Sequence, residues 1–141
     1  MKALKNYNET LFLANMFIAL LAVFNAMTGL FFLRVDNDID SPTYSMMAKF
    51  MSLDAYGIIM MLSAIFLIVS AFQMGKLKYL SMLVGGITGT VVMGLYAGAS
   101  TIGAANIMLP MRYSLMACGY LIIAAVGGVG LWRSNRSSLP S

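Results

Sequence analysis

The stretch Tyr79–Thr101, YLSMLVGGITGTVVMGLYAGAST, carries no charged side chain, yet it holds five glycines: Gly85, Gly86, Gly89, Gly94 and Gly98. In water a glycine inside a helix costs about 1 kcal/mol relative to alanine. In hydrocarbon the helix forms regardless, because backbone N–H and C=O groups find no water to bond. There a glycine lets a second helix come close. Gly86, Thr90, Gly94 and Gly98 step by four and form one slowly turning stripe, which Gly85 and Gly89 widen. The stretch is expected to be the central span of a helical membrane bundle, with other spans packed on it.

Three more apolar runs are long enough to join it: about Leu11–Leu33, Leu53–Met74 and Met111–Trp132. At 1.5 Å per residue each reaches roughly 30 Å, the thickness of a hydrocarbon core. The chain of 141 residues is 60% hydrophobic and 10% charged. Soluble domains carry about 25% charged residues, so that class is excluded. The expected fold is an all-α integral membrane protein of four transmembrane helices in an up-down bundle. It forms one domain over 1–133, followed by a polar tail over 134–141. Lys2 and Lys5 precede the first apolar run as in a signal peptide, but the run is too long for one and no small-x-small site follows it. It reads as a retained anchor.

The connections set the threading. Gly75–Lys78 is so short that spans 2 and 3 must form an antiparallel hairpin. One side of the bundle then collects Lys2, Lys5, Lys76, Lys78, Arg133 and Arg136, and the other Arg34, Lys49 and Arg112. The acids Asp36, Asp38, Asp40 and Asp54 fall on the second side; Glu9 does not. Positive charge favours the cytoplasmic face, which predicts a multi-pass protein of the cell membrane with both termini cytoplasmic. The basic residues sit at span ends and form no groove-sized patch, so nucleic acid is not an expected partner.

The outer segment Arg34–Ser52 is the one long polar stretch. Asp36, Asp38 and Asp40 alternate like the first ligands of a calcium loop, but Ser41 stands where that loop needs Gly, and Met47 where it needs Glu. A solvated acidic loop is the expectation. Ser41–Pro42 reads as an N-cap followed by a first helical residue, opening a short interfacial helix over Pro42–Met51.

Small and polar residues mark the packing faces. In span 2, Gly57, Ala64 and Ala71 are seven apart, with Met60, Leu67 and Met74 between them. That alternation of small and large suits knobs-into-holes contact. Span 1 shows a seam of Asn15, Ala19, Ala22, Ala26 and Gly29, with Asn25 and Thr28 to one side. Asn amides in lipid want partners, so Asn15, Asn25, Thr28 and Ser63 are expected either to join helices or to line a polar path. At the outer edge Asp54 and Arg112 have the depth to pair, which would neutralise two charges near lipid.

Catalytic and cofactor chemistry has little to build on. The chain has no His and one Cys, Cys118, so an intrachain disulfide, a Cys/His zinc site and a His-ligated haem are all excluded. No span carries an ionisable group at mid-depth, as proton-coupled export requires. Four-span small multidrug transporters keep an acidic residue inside the first helix, whereas Glu9 precedes it. The outer-loop cysteines of claudin-like and tetraspan proteins are missing. The fourteen Met are read as gap fillers and not as Cu(I) ligands. No cofactor and no metal is expected.

Two functions follow as expectations. The first is a non-enzymatic membrane protein that self-associates or serves as an accessory subunit of a larger membrane complex, since several faces carry more Gly and Ala than a four-helix monomer needs. The second is a pore or small-solute permease of holin-like character, lined by Asn15, Asn25, Thr28, Ser63 and Thr90. A lipid or quinone site between spans 2 and 3 is a third reading.

Overall fold

The apolar runs do become helices, and they extend beyond the apolar stretch at most ends. The computed structural model describes residues 2–34, 41–103 and 107–136. Among them stand five helices: α1 (Lys2–Arg34), α2 (Pro42–Phe50), α3 (Leu53–Phe72), α4 (Lys76–Gly103) and α5 (Met108–Arg136). Four of these, α1, α3, α4 and α5, are long and apolar enough to cross a membrane. The aspartates Asp36, Asp38 and Asp40 and the tail beyond Arg136 lie outside the described residues.

Local chemistry sets the ends. Ser52 caps α3, its hydroxyl accepting the Ala55 N–H at 3.4 Å, and Asp54 sits in the first turn against the helix dipole. α3 stops at Phe72, two residues short of the expected Met74, which is exposed beyond the helix. The turn that follows needs only Gln73, Met74 and Gly75, because Gly75 takes a left-handed φ of 75°. Lys76 and Lys78 therefore belong to α4 and not to the connection. In α2, Pro42 does occupy the first turn and Ser41 the cap position, but the Ser41 side chain makes no capping bond. The Ser41 carbonyl starts the helix instead, accepting from the Ser45 N–H at 3.0 Å.

Sequential long helices pack antiparallel. Gly29 of α1 lies on Gly57 of α3, Ser63 of α3 meets Gly85 of α4, and Gly127 of α5 meets Leu83 of α4. Across the bundle α1 and α4 run parallel, so Asn15 meets Lys78 and Phe32 meets Tyr96. The Tyr120 hydroxyl of α5 donates to the Leu21 carbonyl of α1 at 2.9 Å and closes the ring of helices. α2 is not a bystander on the rim. It packs on α4 and α3, burying Thr43 and Met47.

The core is narrow and the perimeter greasy. Phe32, Met60, Leu67, Met93 and Tyr120 are buried, while Leu13, Leu20 and Met27 are 66–67% exposed on α1 alone. Ile58, Ile65, Val91, Ile122 and Val129 continue that apolar exterior around the other long helices. Such an outside has the polarity of a surface facing lipid, and it suggests a membrane protein.

Candidate functional site

All four long helices meet at one polar node. Asn25 of α1 is fully buried, and its Nδ2 donates to Ser63 Oγ of α3 at 2.8 Å. Ser63 Oγ donates in turn to the Gly85 carbonyl of α4 at 2.7 Å. Since the single Ser63 hydrogen is spent on Gly85, Ser63 must accept from Asn25, which fixes the amide orientation. The Asn25 Oδ1 is then left buried without a partner among the described residues. Gly89 of α4 passes over the Tyr120 ring, where an added Cβ would fall 2.9 Å from the ring and 3.3 Å from Asn25 Nδ2.

The other polar residues singled out in the sequence have separate fates. Asn15 accepts from Lys78 Nζ at 2.9 Å, half-buried, far from Asn25 along α1. Thr28 and Thr90 turn back on their own helices, bonding the carbonyls of Phe24 and Gly86 at 2.8 and 2.7 Å. Asn25, placed to one side by the spacing, is in fact central, and Ser63 reaches across to α4 where its neighbour in pattern, Ser70, bonds back to Leu67. Asn25 and Ser63 thus bond each other, Thr28 and Thr90 bond backbone, and Asn15 bonds Lys78.

The small residues also divide. Gly57, Ala64 and Ala71 are buried on α3, with the Gly29 carbonyl 2.9 Å from where a Gly57 Cβ would stand. A Cβ on Gly86 would lie 2.6 Å from the Ala124 nitrogen, so α4 and α5 touch backbone to backbone there. Gly127 repeats the contact from the α5 side, 2.6 Å from the Leu83 nitrogen, and Gly130 lies under the Tyr79 ring. The stripe ends at this point. Gly94 and Gly98, at the same four-residue spacing, have nothing within 4 Å of their Cβ positions. Asp54 and Arg112 are both exposed and form no ion pair with one another.

A second cluster went unnoticed in the sequence. Tyr44 of α2, Tyr96 of α4 and Tyr113 of α5 bring their hydroxyls together: Tyr113 donates to Tyr96 at 3.3 Å, and Tyr44 and Tyr96 share a hydrogen bond at 3.3 Å. The Tyr96 and Tyr113 rings stack at 3.9 Å, and Phe32 meets Tyr96 edge-on at 5.6 Å. A cavity of about 310 Å³ opens beside the three rings, with Arg112 and the α1 residues Phe24, Met27 and Phe31 on its walls. The signal was available. Tyr44 follows Pro42 by two, Tyr96 is near the end of one span and Tyr113 near the start of the next, so up-down threading puts all three at one depth.

Comparisons with protein-family models, with curated proteins and with solved structures returned no match to this chain.

Proposed function

We propose that the protein is a non-enzymatic integral membrane protein that acts by contact, self-associating or docking as a subunit of a larger membrane complex through the outer half of α4. The observation that carries this is the pair Gly94 and Gly98. They stand four apart on an exposed helix face with open space above both. Gly85, Gly86 and Gly89 of the same helix are all in contact inside the bundle. A glycine facing lipid gains nothing from its missing side chain and lowers helix propensity. Facing a second helix, it permits close approach. The surrounding Val91, Leu95 and Ile102 are 54%, 39% and 70% exposed and would be covered with it.

In this reading the four long helices cross the cell membrane with both termini cytoplasmic. Arg112 and Arg133 of α5 stand 21 residues apart, roughly 30 Å along a helix, and would mark the two interfaces. Trp132, with the Arg136 guanidinium 4.2 Å over its ring, suits the inner interface. A pore through one copy is the weaker reading, because Asn25 and Ser63, which such a path would use, are fully buried and bonded to each other.

The test is cysteine crosslinking in native-like bilayers, on a Cys118→Ser background since Cys118 is exposed. Gly98→Cys is expected to give a crosslinked dimer or a crosslinked neighbour, while Ile58→Cys on the far face of α3 gives neither. Monomer alone from both positions, or ion conductance by the purified protein in liposomes, overturns the reading.

A further inference from the structure

The cavity beside the tyrosine cluster has a surplus of hydrogen-bond donors. Three hydroxyls own three hydrogens, and the two bonds among Tyr44, Tyr96 and Tyr113 use two of them. The third has no acceptor among the described residues. Arg112 lines the same cavity with a guanidinium that no carboxylate among the described residues pairs. What complements such a wall is a group that accepts and does not donate. The rest of the lining is Thr28, whose hydroxyl hydrogen is spent on the Phe24 carbonyl, and the apolar Phe24, Met27 and Phe31, the last two 67% and 47% exposed on the flank of α1. The cavity thus reaches the exposed apolar flank of α1.

We propose that this cavity binds the head ring of a membrane-dissolved quinone. A quinone carbonyl accepts both the spare tyrosine hydrogen and an Arg112 N–H. Its flat ring fits against tyrosine faces, and its prenyl tail follows Phe24, Met27 and Phe31 outward. A lipid phosphate would satisfy the same donors, but the aromatic walls of Phe24, Phe31 and Tyr113 suit a flat ring, and added anionic phospholipid tells the two apart. The inference rests on the membrane-embedded reading and is independent of association through α4.

The experiment uses the full chain in nanodiscs of neutral lipid, labelled with a photoreactive short-chain azidoquinone and mapped by peptide. Expected is saturable labelling at one quinone per chain in peptides holding Tyr96 or Tyr113, competed by unlabelled quinone. Tyr96→Phe keeps the ring and removes the hydroxyl, and Arg112→Leu removes the guanidinium. Each is expected to weaken binding by about five- to tenfold with helicity unchanged. Non-saturable labelling, labelling equal in wild type and both variants, or displacement by added anionic phospholipid overturns the proposal. A chain that does not enter the discs overturns the membrane reading and this site with it, and does so before any titration.

Discussion

The two halves of α4 use one residue type in opposite ways. In the N-terminal half, Gly86 and its α5 counterparts Ala124 and Gly127 bring two backbones into direct contact. In the C-terminal half, the stacked Tyr96 and Tyr113 rings stand between the same two helices, and Gly94 and Gly98 point away into open space. The difference lies in α5, which offers small residues below and tyrosines above. Close approach needs smallness on both helices at the same height. A glycine stripe on one helix alone does not tell where the contact is. The pair is therefore pinched near the start of α4 and wedged near its end, and the wedge leaves room for the cavity.

That contrast can be broken most directly at the pinch. Gly86→Leu or Gly127→Leu has to displace backbone atoms within 3 Å, and a loss of about 3 kcal/mol or more in folded-state stability is expected from reversible unfolding in mixed micelles. If Gly94→Leu cost as much in the monomer, the two halves would not differ as described. Next in size is the polar node. Ser63→Ala strips a donor from the Gly85 carbonyl and an acceptor from Asn25 at once, so a loss of about 2–3 kcal/mol is expected. Asn25→Leu should cost less than Ser63→Ala, since it also removes the orphaned Oδ1 and leaves the Ser63–Gly85 bond standing. The reverse order would mean that Oδ1 is satisfied after all. In the wedge, Tyr96→Phe should lower thermal stability by about 1 kcal/mol, through the two hydroxyl contacts it loses. The smallest expected effect is Gly98→Ala, within about 0.5 kcal/mol on the monomer by the same unfolding assay.

The four spans and α2 were legible because they rest on local signals: uncharged runs of bilayer length, and Ser41–Pro42 ahead of a short amphipathic piece. Their ends were less so. Basic residues such as Lys76 and Lys78 look like connection, yet a helix extends through them at no cost once Gly75 has made the turn. Which glycines touch a neighbour depended on the helix opposite, a property of pairs that no single span carries. Ser63 and Ser70 have the same local setting, and what differs is that the Gly85 carbonyl passes within reach of Ser63. The tyrosine cluster needed three helices aligned in height, information present in the threading but not in any one motif.

The bond from the Tyr120 hydroxyl to the Leu21 carbonyl spans 99 positions of sequence. Until residue 120 has been synthesised, the earlier helices form an arc with one side unclosed, and the floor of that gap is the polar node itself. A ribosome pausing before α5 would leave Asn25, Gly86 and Gly89 without the helix that covers them. α5 is thus the latch of the four long helices, fastened by one phenol to a backbone made 99 residues earlier.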